Sequence, residues 1–241
     1  MRVQIVSDAH TEFHKDGGVG FIQYLNPKGA QVLVIAGDLA LREGLRTVLK
    51  AACAKYLYVV MVAGNHEFYE SSREKVQERL REIQEECPNL HVLEDSTVEI
   101  EGQRFIGSTL WFPEVTRAAP YKSELNDFHL IEGFESWVYV VNRRSQHFLR
   151  HNVQPNDVVI THHVPTPRGV LSYWRNHTLN DFYLCDMTET IWVKEPKLWV
   201  YGHTHDSHDF TFGKTRFACN PFGYLRRLEN PNFEWDRVID L

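Results

Sequence analysis

The sequence predicts an α/β protein built on a mixed β-sheet, or on two sheets packed face to face, with helices outside. Three observations predict it. Five short runs rich in Val, Ile, Leu and Tyr each end in a polar cluster of Asp, Asn or His. Helical periodicities lie between the early runs, and paired strand-like segments around short turns follow in the second half.

The first run covers residues 2–6 and precedes Ser7-Asp8-Ala9-His10. Residues 31–36 precede Gly37-Asp38, and residues 57–63 precede Gly64-Asn65-His66-Glu67. The last two runs, 157–160 and 197–201, precede Thr161-His162-His163 and Gly202-His203-Thr204-His205. Apolar runs this short and continuous suit strands buried on both faces. Between them, Leu45, Val48, Leu49 and Ala52 give residues 42–54 one apolar helical face. Residues 71–86 open on a capping box, Ser71-Ser72-Arg73-Glu74. Val76, Leu80, Ile83 and Cys87 then step by four, three and four, and Pro88 stops the helix. Residues 136–150 make a third helix. Segments 97–100 and 104–108 flank Glu101-Gly102-Gln103, and 210–212 and 216–219 flank Gly213-Lys214, as in hairpins. Residues 113–134 and 165–186 are aromatic, polar and weakly periodic, and read as insertions over a site. No linker or repeat divides the chain, so residues 1–241 read as a single domain.

Composition excludes several classes. With 241 residues, 43% hydrophobic and 24% charged, the chain can bury a core without staples. Lys plus Arg number 26 against 32 Asp plus Glu; the resulting charge of -6 argues against binding long duplex nucleic acid. Cys53, Cys87, Cys185 and Cys219 form no Cys-x-x-Cys pair, so they read as reduced thiols. No apolar run approaches the roughly 18–20 residues that span a bilayer. The first residues read as a strand rather than a signal peptide, which makes a cytoplasmic protein the expectation.

Ligands of open α/β sheets gather outside the carboxyl ends of the strands, so the five polar clusters suggest one convergent site. Asp8 and His10 are two apart, as are His203 and His205, and an extended segment would put each pair on one face. Gly37, Gly64 and Gly202 would allow sharp turns. Imidazole, carboxylate and one carboxamide form an N/O donor set that suits Mn, Fe, Zn or Ni and lacks the thiolates of a structural zinc site. Seven candidate ligands exceed the needs of one ion. A carboxylate shared between two ions about 3.5–4 Å apart would use them.

In this order, Asp8-x-His10, Gly37-Asp38, Gly64-Asn65-His66-Glu67, His162 and Gly202-His203-Thr204-His205 resemble the calcineurin-like metallophosphoesterase superfamily. Asn220-Pro221-x-Gly223 resembles a turn of its smaller members. The resemblance implies two mixed β-sheets packed face to face and flanked by helices, a four-layer α/β/β/α sandwich, with a dinuclear metal centre on strand-end loops. It implies one ion held by Asp8, His10, Asp38 and His205, and a second held by Asp38, Asn65, His162 and His203. Two divalent transition-metal ions are thus the expected cofactors, with Mn favoured over Fe, Zn and Ni. The implied reaction is in-line attack on phosphorus by a hydroxide bridging the ions, with His66 as general acid or transition-state stabiliser. One position departs from the pattern. Many members read Gly-Asp-x-x-Asp, and the second Asp orients the catalytic histidine; here that position is Leu41, so another group must orient His66.

His163, beside a ligand, reads as a packing or outer-shell residue. Arg42 has the spacing from Asp38 of a phosphate-binding arginine, with an exposed first-turn helix residue as the alternative. Tyr69, Arg168, Tyr173, Trp174 and His177 are candidate substrate contacts, since aromatic and Arg side chains suit a nucleobase or an anion. Packing within the insertions is their alternative role. The leading expectation is hydrolysis of a phosphodiester of a nucleotide or another small molecule. The paired His203 and His205 resemble the phosphodiesterase side of the superfamily. Leu41-Arg42-Glu43 also breaks the Asp-Arg-Gly extension of protein Ser/Thr phosphatases. A phosphomonoesterase, a protein Ser/Thr-type phosphatase and a non-catalytic scaffold are the alternatives. A mononuclear amide or ester hydrolase would leave Asn65 without a role.

Overall fold

The computed structural model describes residues 1–171, 174–227 and 229–241. Strands and helices alternate first: β1 (Arg2–Val6), α1 (Val19–Tyr24), β2 (Val32–Ala36), α2 (Arg42–Lys55) and β3 (Tyr58–Val62). A two-residue strand, β4 (Ser71–Ser72), opens α3 (Arg73–Glu86), and β5 (Leu90–Val92) leads to the hairpin of β6 (Ser96–Ile100) and β7 (Gln103–Ser108). After α4 (Asp127–Leu130) and β8 (Ile131–Glu132) come α5 (Phe134–Asn152), β9 (Val158–Thr161), α6 (Thr188–Lys194) and β10 (Leu198–Val200). The hairpin of β11 (His208–Phe212) and β12 (Thr215–Cys219) and the strand β13 (Val238–Asp240) complete the chain.

These strands form two main sheets, in the orders β13-β1-β2-β3-β5 and β11-β12-β10-β9-β7-β6. Strands β1, β2, β3 and β5 run parallel, as do β12, β10, β9 and β7, and the antiparallel strands β13, β11 and β6 lie at edges. The parallel centres bring the five polar clusters to the same ends of their sheets.

Side-chain alternation explains the layering. Val3, Ile5, Val32, Val34 and Val60 face Phe105, Val158, Ile160 and Leu198 of the opposite sheet. Their neighbours Leu33, Ile35, Val59 and Met61 face outward onto Val48 and Leu49 of α2 and Val76 and Leu80 of α3. On the far side, Val159, Trp199 and Phe217 pack against Leu149 of α5 and Ile191 of α6. Of the two arrangements compatible with the apolar runs, the protein adopts the face-to-face sandwich, with four layers in the order α/β/β/α.

Three local expectations are corrected. Ser72, not Ser71, caps α3, its hydroxyl accepting from the Lys75 amide at 3.4 Å. Ser71 and Ser72 both pair in parallel with β8, and the helix begins only at Arg73, which leaves Ser72 as the residue adjoining its first turn. Helix α5 starts at Phe134, and Leu125, Ile131 and Phe134 are buried in the outer core, so residues 113–134 are partly core rather than loop alone. Among the described residues, no helix is long and apolar enough to cross a membrane.

Phe105 is fully buried between the sheets. Phe105→Ala should therefore lower unfolding free energy by about 3–5 kcal/mol. Urea denaturation should show a lower midpoint with an unchanged slope.

Candidate metal centre

The loops after β1, β2 and β10 turn sharply to deliver their side chains. Asp8, His10, Asp38, His203 and His205 all adopt left-handed backbone, with φ between 44° and 72°. The two-residue spacings therefore work through turned loops, not through the extended segments the sequence suggested. Asp and His tolerate this region better than most residues, yet such backbone still costs on the order of 1–3 kcal/mol per residue and persists only where surroundings enforce it. Here neighbouring loops enforce it. The amides of Asp8 and His10 donate to the carbonyls of Gly37 and Asp38, both at 3.0 Å, and Gly202 donates to His162 at 3.0 Å.

Glu67 supplies the second clamp. Its buried carboxylate accepts from four backbone amides: Gly64 at 2.6 Å, Asp38 at 3.0 Å, Leu39 at 2.7 Å and Ala40 at 3.2 Å. One side chain thus ties the loop after β3 to the loop after β2. Only Gly fits at position 64, because a Cβ there would lie 2.2 Å from Asp38 Oδ1 and 2.7 Å from the His162 ring. At Gly64 the glycine serves close approach, not the turn that the sequence suggested.

The enforced loops gather an acceptor-rich centre around Asp38. One carboxylate oxygen lies 3.9 Å from His10 Nε2 and the other 3.5 Å from His162 Nε2. On the first side, His10 Nε2 and His205 Nε2 are 3.0 Å apart, and Asp8 Oδ1 is 3.5 Å from His205 Nε2. On the second, His162 Nε2 lies 3.0 Å from Asn65 Oδ1 and 3.1 Å from His203 Nδ1.

Outward hydrogen bonds fix which ring nitrogens carry protons. His162 Nδ1 donates to the Ala36 carbonyl at 2.8 Å, and His205 Nδ1 donates to Glu229 at 2.6 Å, so in each ring Nε2 presents a lone pair inward. Asn65 is set the same way. Its Nδ2 donates to Asp127 at 2.9 Å and to Tyr69 Oη at 3.1 Å, which turns Oδ1 to the centre. Carboxylate oxygens, a carboxamide oxygen and imidazole lone pairs thus meet at contact distance with few donors among them. Burial lowers the His162 imidazole, but Asp38 and Asp8 outweigh it and push its pKa up to about 10, so this field favours positive charge at Nε2, either a proton or, in its place, a metal ion bound to the neutral ring. Divalent cations fit the donor set. Asp8-His10-His205 and Asp38-His162-His203 are each grouped closely enough to share an ion, and His10-Asp38-His66 is a third such group.

His66 occupies the rim. Its amide donates to Asp38 at 2.9 Å, its Nδ1 lies 3.2 Å from Glu12 Oε1, and its Nε2 lies 3.3 Å from Tyr224 Oη. His163 turns away into a packed layer, its Nδ1 3.2 Å from the Thr109 carbonyl and its ring beside Trp111. Burial, then the neighbouring His162, depresses its pKa to about 3 and keeps it neutral.

A cavity of about 460 Å³ opens above this centre. Tyr69, Trp174 and His177 line it, together with Asp38, Asn65, His66, His203 and His205. Two expected contacts lie elsewhere. Arg168 is absent from the lining, its guanidinium stacked 4.4 Å over the Phe212 ring. Arg42 begins α2 and pairs with Glu70 at the half-exposed surface, as in the alternative reading of that residue. Tyr173 lies outside the described residues. Sequence reasoning missed Glu12, Asp127, Tyr224 and Glu229. Glu12 continues the two-residue spacing of Asp8 and His10, which was a usable signal; the others come from remote segments with no motif.

A two-sheet sandwich carrying an Asp, Asn and His centre on its strand-end loops defines a metallophosphoesterase-type fold. The sequence pattern of the calcineurin-like phosphoesterases matches residues 1–207, and the chain belongs to that family. It is similar to the uncharacterized protein L509 of Acanthamoeba polyphaga mimivirus, at 23% identity over 86% of this chain and 83% of that protein. Among solved structures, the phosphopantetheinyl hydrolase PptH of Mycobacterium tuberculosis superposes with a TM-score of 0.76 at 18% identity, over 98% of this chain and 95% of that one. The protein TT1561 of Thermus thermophilus superposes with a TM-score of 0.59 at 12% identity, covering 91% of this chain and 88% of that one.

The Glu67 clamp predicts a coupled loss. Glu67→Gln places an amide donor against backbone donors, so the variant should lose about 1–3 kcal/mol of stability. Because the clamp also sets Asp38, affinity for a divalent-cation probe such as Mn²⁺ should fall about 10- to 100-fold, as read by calorimetry.

Proposed function

We propose that this protein hydrolyses a small phosphodiester, using two divalent ions held by Asp8, His10, Asp38 and His205 and by Asp38, Asn65, His162 and His203. When bound, such ions supply a water-derived nucleophile at neutral pH and neutralise phosphoryl charge. Asp38 bridges the two groups, one oxygen to each side, while Glu229, Asp127 and the Ala36 carbonyl orient His205, Asn65 and His162. His66 stands at the rim, where its Nε2 donates a proton to the departing oxygen. Mn²⁺ is the favoured ion for this N/O donor set. The four free cysteines support a reducing, cytoplasmic setting.

The preference for a diester rests on the cavity wall. Leu125, Val170, Leu171, Trp174 and Leu179 form an apolar side, contributed by the capping segments 113–134 and 165–186. Glu124, Asp127, Asp206 and Glu229 also line the cavity, and Arg227 is the one arginine among its described lining residues. That guanidinium is already placed over the Tyr224 ring at 5.3 Å and 3.7 Å from Glu229. A monoester dianion would bring its second charge towards these carboxylates. A diester carries one charge and gives the apolar side an organic alcohol to bury. PptH, which shares the fold, is named as a phosphopantetheinyl hydrolase, and a substrate with a long organic arm is compatible with this wall.

With Mn²⁺, bis(p-nitrophenyl) phosphate should be hydrolysed at higher kcat/KM than p-nitrophenyl phosphate. Asp38→Ala should reduce turnover by more than about 10²-fold, since it removes the residue shared by both groups. Chelation should abolish activity and Mn²⁺ restore it. A clear preference for the monoester would overturn the diester assignment, and full activity in the metal-free protein would overturn the mechanism.

A further inference from the structure

We propose that Glu12 is the positioning residue of His66, doing the work that an acidic residue at position 41 would otherwise do. The inference rests on the phosphoesterase reading above and adds to it the group that prepares its acid.

Position 41 offers His66 nothing polar: Leu41 is a partly buried residue packed against the outer apolar core. The carboxylate that does reach the ring comes from a different loop. Glu12 lies in the 3-10 turn Thr11–Phe13 that follows His10 directly. Thr11 anchors this turn, its amide and its hydroxyl both donating to the Leu39 carbonyl at 2.9 Å. Glu12 Oε1 then lies 3.2 Å from His66 Nδ1. A carboxylate oxygen only accepts, so this contact puts a proton on Nδ1 and leaves Nε2 towards Tyr224 Oη and the cavity.

The rest of the Glu12 carboxylate argues for the same role. Its other oxygen is buried and has no hydrogen-bond partner among the described residues. Oε1 makes a second contact with His10 Nδ1, at a longer 3.4 Å. A buried carboxylate clamped by amides, like that of Glu67, organises backbone. One satisfied by imidazoles acts on imidazoles, and it retains the desolvation cost of its idle oxygen. In the reaction, the bond from phosphorus to the leaving oxygen breaks with its electron pair on that oxygen. As a water-derived oxygen forms its bond to phosphorus, the leaving oxygen takes the Nε2 proton, and His66 is left as neutral imidazole with its Nδ1–H still hydrogen-bonded to Glu12. The carboxylate steadies the cationic ring before transfer and fixes its aim.

The experiment uses the full chain loaded with Mn²⁺ and two diesters that differ in leaving group, p-nitrophenol against a simple alkanol. General-acid assistance matters for the alkanol, a poor leaving group, and little for p-nitrophenolate. Glu12→Ala should lower kcat about 10²-fold on the alkyl ester and less than about 3-fold on the p-nitrophenyl ester, the pattern expected of His66→Ala. Glu12→Gln, whose carboxamide oxygen still accepts the Nδ1 proton, should recover part of the loss. The double variant with His66→Ala should be no slower than His66→Ala alone. Metal content should stay at the wild-type level, and in NMR of the protein loaded with diamagnetic Zn²⁺ the His66 Nδ1 proton resonance expected for the wild type should disappear in Glu12→Ala.

Equal losses on both esters together with lost Mn²⁺ would overturn the proposal in favour of support for His10. Additive losses in the double variant, or an unchanged Nδ1 resonance, would overturn it as well. If the wild type hydrolyses neither ester, the phosphoesterase reading fails, while the resonance still decides whether Glu12 holds His66. Should Glu12→Ala fail to fold, Glu12→Gln carries both measurements, with a smaller leaving-group effect and a shifted resonance.

Discussion

Asp38 concentrates the electrostatic problem that the surrounding structure answers. Its carboxylate is almost fully buried, faces His10 on one side and His162 on the other, and accepts from the His66 amide at 2.9 Å. Burial by itself would raise its pKa, but the surrounding imidazoles hold it well below the usual carboxylate range. A charge kept in such a place requires compensating positive charge nearby. The protein places imidazoles and oxygens there instead of Lys or Arg, so the counter-charge is a proton on those rings or, in its place, a cation bound to them. The Glu67 clamp, the left-handed strand ends and the outward hydrogen bonds of His162 and His205 all keep those acceptors converging.

The sheets make that convergence cheap in sequence terms. Parallel strands β1, β2 and β3, and β9 with β10, end at one edge, so five loops of a few residues each reach a common point without long excursions. The inter-sheet core contributes indirectly. Val34 and Val60 on one sheet against Val158 and Ile160 on the other fix the spacing of the two sheets, and therefore the distance between Asp38 and His162. Ligands from both sheets must meet within hydrogen-bonding distance, and close packing is what permits that.

Much of this was legible in the sequence because the informative residues are local to strand ends. An apolar run followed by Gly-Asp or Gly-Asn-His-Glu states both the strand and what hangs from its end, and the helices α2 and α3 announce themselves by their apolar spacing. The illegible parts have a common physical origin. Strands β4, β5, β8 and β13 are only two or three residues long and owe their state to partners far away in sequence. The capping of α3 moved by one residue because β4 holds Ser71 and Ser72 extended and the helix starts only at Arg73, a tertiary demand that outweighs a local motif. Asp127, at the start of α4, and Glu229 orient ligands from segments whose composition says nothing of their destination. Arg168 was a reasonable anion contact by residue type, but its guanidinium found the face of Phe212 instead.

The same arrangement has a thermodynamic consequence. Left-handed backbone at five positions and buried carboxylates at Asp8, Asp38, Glu67 and Asp127 all oppose folding when unmatched. Glu67 is matched by backbone amides and Asp127 by Tyr69 and Asn65, so those two are satisfied by the chain itself. Asp8 accepts from the His203 amide, but it shares with Asp38 a surround of imidazoles whose Nε2 atoms carry no proton when neutral. Cations that bind the folded centre more tightly than the unfolded chain would add their binding free energy to stability by mass action. The strain of the strand-end loops and the affinity of the centre are therefore two sides of one balance. Loops rigid enough to hold acceptors against one another before a metal arrives lose little further freedom when it does.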